Sequence, residues 1–361
     1  MARRDIVMER VQQGFEAEDQ VSGGGWSDIP RHGIVARLDD RFSPSYLPQM
    51  PEGAAFQNAF MRVCRPGINV SCLRLTDSLG RAIEVPASLV RAPLAGNLKR
   101  GLLSAATLGL SIPIAVIGDP SSAVSSLPLE FGAAHLFSAV KHLGQFASLI
   151  CLKGLSQELN LRGFLRFESF PLARLRVTPD YWKRLSSKKR SDLNRHRRAS
   201  SSLHRMETVG LPVELEAAVY GLYRQTQSRA DFKFIELPTA YFRETSALSR
   251  YVFYFERETL IGFHQMLCTP NKMICKYIGM DYSRALNYRL YFSLMLDCID
   301  IAIREGIPEI DFGITSYRFK HYIGCDLVPM WNYFHHTNPL LHATLPLFRG
   351  LLTPSRQAMT R

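Results

Sequence analysis

A carboxylate, two phenols and an amine fall in one short stretch near the end of the chain: Asp311, Tyr317, Lys320 and Tyr322. Such groups can move protons to and from a reacting amine and its leaving group, and a cation among them can stabilise a developing oxyanion. Asp311 ends a predicted strand, where it can orient an amine, act as a base, or simply cap the following turn. Tyr317 and Tyr322 are candidate acids or core tyrosines, and Lys320 is an oxyanion stabiliser or a surface lysine. His264 lies alone inside a predicted strand and points to a cleft or to the core. No G-x-S-x-G nucleophile motif is present, a lack that fits chemistry by direct attack.

A second set of residues is cationic. Lys183, Arg184, Lys188, Lys189, Arg190, Arg195, Arg197, Arg198 and Arg205 accompany a single Asp192. Within this run, Lys188, Lys189, Arg190 and Arg195 are the candidate contacts to phosphate, tRNA or an anionic lipid surface; otherwise the run is a solvated helix. The whole chain of 361 residues carries a net charge of +12, which implies an anionic partner without naming it. Helix-turn-helix and zinc-finger patterns are missing, so DNA is not expected. Seven cysteines form neither a CxxC pair nor a His-containing ligand cluster in the sequence, and they read as reduced, buried thiols; no metal is expected. The first residues lack the apolar run of a secretory signal, which points to the cytosol, with the inner face of a membrane as a surface within reach.

These groups must be positioned by an α/β scaffold. Residues 1–55, with Gly23-Gly24-Gly25 and scattered prolines, read as a mostly disordered arm. A first domain is expected over 56–175. It includes a hairpin around Asp77-Ser78-Leu79-Gly80, a strand Ile112–Ile117, a helix Leu129–Leu143, a strand Ala147–Leu152 and a last strand Phe167–Leu175. The uncharged run 101–118 divides into a helix and the buried strand, and a soluble reading is preferred to a membrane span. A second domain, 176–345, opens with a long helix from Ser186 or Ser187 to about Leu203. Helices over Val213–Arg229 and Thr239–Leu248 follow, then the meander Arg250–Glu256, Thr259–Cys268 and Lys272–Asp281. The helix Tyr288–Glu305 has Tyr291, Leu294, Met295, Cys298, Ile299 and Ala302 on one face, the spacing of a helix lying on a sheet. The strands Ile307–Phe312 and Leu327–His336 close the domain, and residues 346–361 form a tail. The apolar residues from Leu340 to Leu352 pack on their own domain or dock on a membrane or a partner. Both halves share a similar order of elements, as a duplicated fold would.

Three segments carry a resemblance to a known family. They are Gly163-Phe164 with Phe170–Leu175, Tyr181-Trp182 and Leu185–Arg195; Ile278-Gly279-Met280-Asp281; and Ile310-Asp311-Phe312-Gly313 with Tyr317-Arg318-Phe319-Lys320 and Gly324. In that order they resemble the CelD-type and Fem-type branch of the GNAT (acyl-CoA N-acyltransferase) superfamily, whose members often carry two GNAT folds in tandem. The resemblance covers roughly residues 60 to 336. It implies an α/β chain of two GNAT-like domains and acyl transfer from a thioester donor, acyl-CoA, to an amine in cell-envelope or polysaccharide metabolism.

The resemblance also implies where the donor sits. Two parallel strands splay apart, here Lys272–Met280 and Ile307–Phe312, and the pantetheine arm pairs with the open edge near Ile278 and Gly279. The diphosphate lies at the N-terminus of the Tyr288–Glu305 helix, beside Arg284, Asn287, Tyr288 and Arg289. The family's phosphate loop has small residues where this chain has Asn287 and Arg289. Asn287 can keep a left-handed turn, and Arg289 supplies charge in place of a close backbone approach, unless both arginines are only solvated. Phe319-Lys320 matches the family's Phe-Lys pair, whose lysine steadies the reacting carbonyl. Two alternatives remain open: a Fem-like transferase using aminoacyl-tRNA, and a non-catalytic binding protein that keeps the scaffold.

Overall fold

The computed structural model describes residues 33–63, 68–93, 111–125, 127–128, 130–230, 236–349 and 353. Most of the expected arm, the helix expected early in 101–118 and most of the C-terminal tail lie outside them. The described residues divide into two compact units, each built on a seven-stranded sheet.

In the first unit, β1 (Val35–Asp39), β2 (Ile68–Thr76), β3 (Ala82–Pro93) and β4 (Ser111–Ile117) pair antiparallel in succession. The β2–β3 turn is the expected one: Asp77 accepts amide protons from Leu79 and Arg81, and Gly80 takes φ 77°. The helix Ala133–Leu143 then leads to β5 (Leu149–Leu155), which lies parallel to β4. Its apolar stripe, Leu136, Ala139, Val140 and Leu143, buries against Leu73, Leu75, Val85, Ile117, Ile150 and Leu152. β6 (Leu165–Glu168) closes one edge.

The second unit repeats this plan. β7 (Leu172–Arg176) comes first, followed by the helices Tyr181–Arg184 and Ser187–Ala199 and the strand β8 (His204–Val209). After the helices Glu216–Arg229 and Ala240–Glu244 come the meander strands β9 (Ser249–Glu256), β10 (Thr259–Thr269) and β11 (Lys272–Met280). The short helix Tyr282–Ala285 and the long helix Leu290–Glu305 lead to β12 (Glu309–Asp311), parallel to β11. The helix Tyr317–Tyr322 and β13 (Asp326–Val328) complete this unit, and β14 (Trp331–His336) returns to the first sheet. Numbered in chain order with Ala54–Met61 as α1, Ala133–Leu143 is α2, Tyr181–Arg184 α3, Ser187–Ala199 α4, Glu216–Arg229 α5, Ala240–Glu244 α6, Tyr282–Ala285 α7, Leu290–Glu305 α8, Tyr317–Tyr322 α9 and Pro339–Thr344 α10. The sheet orders are β1-β2-β3-β4-β5-β14-β6 and β13-β7-β12-β11-β10-β9-β8. Meander, helix and parallel strand thus occur twice, as the duplicated GNAT-like α/β fold requires.

Four elements differ from the sequence reading. Residues 33–55 are not an arm: β1 pairs with β2, and Phe42 and Tyr46 are buried. Phe167–Leu175 is two strands in two sheets, because Pro171 has no N–H to continue a ladder and Ser169 donates instead to Met330 O at 2.8 Å. The long basic helix stops at Ala199, where Ser200 and Ser201 turn their hydroxyls onto the carbonyls of Arg197 and Arg198. His204–Val209 is therefore free to pair with β9 as an edge strand. Leu327–His336 divides at Pro329, and its second part, β14, joins β5 and β6 in the first sheet. Among the described residues, no helix is long and apolar enough to cross a membrane.

Candidate active site

The parallel pairing of β11 and β12 spans two residue pairs, Met273↔Ile310 and Ile274↔Asp311. β12 ends there, whereas β11 runs on to Met280. The register between β10 and β11 shifts at that point, from Gln265↔Tyr277 to Met266↔Cys275, which leaves Lys276 as an extra residue. Such a bulge bends the strand that carries it. At the far end, Met280 N–H donates to Thr226 Oγ1 of α5 at 3.1 Å, while Asp281 N–H returns to Ile261 O of β10 at 2.9 Å. Strand alternation then turns the backbone of Ile278 towards the open edge and that of Gly279 towards β10. A Cβ on Gly279 would sit 2.2 Å from the Phe263 ring and 2.8 Å from Tyr223 N, so this glycine permits packing of α5 on the sheet.

Beyond β12 the chain enters a tight turn, with φ values of 71°, 103° and 52° at Gly313, Thr315 and Ser316. For the β-branched Thr315 this is a strained conformation, of the kind that clusters at functional sites. The turn launches α9, and an aromatic cluster fixes that helix. Phe319 packs on Phe292 of α8 with centroids 4.7 Å apart and on Tyr291 at 6.1 Å, while His196 of α4 stacks on Phe292 at 4.1 Å. With Phe319 held, Lys320 turns inward. It is 4% exposed, and Nζ donates to Phe312 O at 2.6 Å, just past the end of β12. Burial lowers its pKa to about 8, against the opposing influence of Cys275, Cys325 and Asp311.

Asp311 is also buried. Its Oδ1 accepts from Gly313 N–H at 2.8 Å and its Oδ2 lies 3.7 Å from Lys272 Nζ, so it caps the turn. Burial raises its pKa, and Lys272 opposes that rise. Tyr317 is buried as well, and burial pushes its phenol to about 12. Tyr322 is half-buried and donates to Asp192 Oδ2 at 3.1 Å.

The residues expected at the diphosphate are brought together only in part. Arg284 pairs with Glu256 at 3.1 Å and Asp281 at 3.6 Å, and Tyr288 donates to Glu256 Oε1 at 2.6 Å, so both are engaged within the protein. Asn287 is exposed but is not the left-handed residue; that is Arg289, φ 51°, the exposed N-cap of α8. Of the basic set on α4, Arg190 donates to Lys183 O at 3.0 Å and Arg195 pairs with Asp192. Lys189 lies 5.2 Å over the Tyr322 ring, and Lys188 is exposed. The basic helix thus adjoins α9, two residues from Lys320.

Residues that the sequence did not group also meet here. Cys275, the first β11 residue past the paired segment, joins His264 and Cys298, with ligand atoms all within 4.8 Å of one another. Burial acts to raise the Cys275 pKa, but hydrogen bonds from Cys298 and His264 outweigh it and leave the thiol more acidic than usual. Three separate elements supply these residues, so no local spacing announces them.

Comparison with known proteins bears on the fold that carries these residues. Residues 187–321 match the model of the acetyltransferase (GNAT) domain. No curated protein sequence matches the chain. Among solved structures, L-PGS from Bacillus licheniformis is 12% identical, over 79% of this chain and 90% of that one, with TM-score 0.51. A putative lysylphosphatidylglycerol synthetase C-terminal domain from Agrobacterium fabrum is 11% identical, over 76% and 87%, with TM-score 0.49. FemX is 11% identical, over 84% and 94%, with TM-score 0.49. At 12% identity the likeness to L-PGS is one of fold.

Proposed function

We propose that this chain, whose residues 187–321 match the acetyltransferase (GNAT) domain model, is a transferase that moves an acyl group from a thioester, acyl-CoA, to an amine by direct attack. The observation that carries this reading is the open edge of β11 beside a two-residue parallel pairing, with a buried lysine at the point of divergence. An extended donor arm can add to that edge through the backbone of Ile278. The thioester carbonyl then lies near Lys320, whose ammonium stabilises the oxyanion formed when the amine attacks. Tyr317 is the nearby phenol suited to protonating the departing thiolate. Arg289 and the N-terminal turn of α8 receive the donor's phosphates. Asp311 holds the turn that presents Lys320, and an envelope-precursor amine is the acceptor class that the Fem-like resemblance suggests.

A second donor, aminoacyl-tRNA, is favoured by one observation: the basic helix α4 adjoins α9 through Lys189 and Asp192, where its cations would meet a polyanion extending from the site. The test uses RNA-free protein. Acetyl-CoA and a long-chain acyl-CoA are titrated calorimetrically, then thiol release is followed with amine acceptors, for wild type and Lys320→Ala. Micromolar binding to a thioester, with turnover lost in the variant while binding persists, is expected. If no thioester binds, the coenzyme A reading fails. Salt-sensitive RNA binding would then select the tRNA donor, and absence of both would select the inactive scaffold.

A further inference from the structure

The face of the second sheet beneath α8 gathers soft ligands. His264 comes from β10, Cys275 from β11 and Cys298 from α8, and one ligand atom of each lies within 4.8 Å of the other two. Cys298 Sγ is 3.2 Å from His264 Nδ1 and 3.4 Å from Met266 Sδ. His264, Met266 and Cys298 are essentially excluded from solvent, while Cys275 is partly exposed. One buried cysteine is ordinary, since it packs as a small apolar residue. Two thiols and an imidazole converging from three rigid elements, with a thioether beside them, form a ligand set.

We propose that His264, Cys275 and Cys298 bind a soft d10 metal ion, Zn2+ or Cu+, with Met266 Sδ next to the fourth position. Thiolate and imidazole together select these ions over harder ones. Charge favours zinc: two thiolates cancel the charge of Zn2+, so the filled site is neutral in a low-dielectric interior. Binding is balanced by loss of one proton from each thiol as the two Zn–S bonds form. His264 Nδ1 also lies 3.2 Å from Leu294 O, a contact that suits a protonated Nδ1; metal binding places the ring proton on Nε2 instead. The ion would fasten α8 to β10 and β11 directly under the point where β11 leaves β12. The proposal stands independently of which donor the protein uses.

The test begins with the full chain purified without chelators, its metal content measured by mass spectrometry, and the ion exchanged for Co2+. One zinc per chain is expected, and the cobalt form should show a thiolate-to-metal charge-transfer band that Cys275→Ser and Cys298→Ser lose. A Cys298→Val variant guards against loss of fold: chelation should lower the melting temperature of wild type but not of this variant. A parallel arm supplies Cu+ with a competing chelator; stoichiometric retention of copper in place of zinc supports the same ligand set and names the ion. Substoichiometric metal after reconstitution with either ion, no sulfur charge-transfer band, and equal chelator response in wild type and Cys298→Val would overturn it.

Discussion

Replacing Lys320 by methionine separates a catalytic charge from a structural one. Burial lowers the lysine from 10.5 to about 8, so carrying its proton in the fold costs about 3 kcal/mol relative to the unfolded chain. Methionine keeps the volume and removes that cost, but it leaves Phe312 O without its 2.6 Å donor, a loss of about 1–3 kcal/mol. The two nearly cancel, so Lys320→Met at pH 7 should stay within about 2 kcal/mol of wild type in urea unfolding followed by circular dichroism. The sign of the pH dependence is fixed. Between about 8 and 10.5 the unfolded lysine holds a proton that the folded one has released, so wild-type stability rises with pH across that window. The wild type should therefore gain about 2–3 kcal/mol on the variant between pH 7 and pH 10. Transferase activity should fall roughly a hundredfold or more in Lys320→Met. In wild type it should decline above pH 8, as the cation is lost. A difference in stability that does not change with pH, or a loss above about 4 kcal/mol at pH 7, would show that the lysine is a structural cation and refute this reasoning.

Arg289→Gly removes a side chain from a left-handed position, φ 51°, where glycine is at ease. Stability should hold or rise by up to about 1 kcal/mol, while the donor KM rises about tenfold if Arg289 meets phosphate; an unchanged KM would make the arginine a solvated charge. Gly279→Ala places a Cβ 2.2 Å from the Phe263 ring and 2.8 Å from Tyr223 N, so it should destabilise by about 3 kcal/mol or more in the same unfolding assay. A loss below about 1 kcal/mol would mean that α5 yields easily.

What the sequence disclosed depended on how local each signal was. The meander, the β2–β3 turn and the amphipathic α8 carry their own periodicity and turn residues, and they fold as expected. Strand partners are not local. Nothing in Trp331–His336 says that it pairs with Leu149–Leu155, while Leu172–Arg176 goes to the other sheet beside β12. The site divides in the same way. Phe319-Lys320 was found through its motif, and the structure buries Lys320 just past the end of β12. Arg284 and Tyr288 share a spacing with the family's phosphate loop, yet Glu256 from a neighbouring strand engages both. His264, Cys275 and Cys298 were invisible as a group, since 11 and 23 residues of sequence separate their elements' members and only the sheet closes those gaps.

Charge balance in the second unit singles out one residue. Three lysines there are enclosed. Lys272 lies between Glu309 at 3.6 Å and Asp311 at 3.7 Å, and Lys276 pairs with Glu52 at 2.6 Å. Each of these is a buried cation answered by carboxylate, which is the arrangement stability demands. Lys320 is different: its hydrogen-bond partner is the neutral carbonyl of Phe312, and among the described residues no carboxylate lies within ion-pair distance of it. A methionine would fill the same space without the desolvation cost. A buried cation that no carboxylate answers is what the proposed reaction would need, since it develops negative charge at the end of β12. The strained turn at Thr315 and Ser316 leads directly into α9, the helix that carries Lys320. Both features lie beside the place where β11 and β12 part.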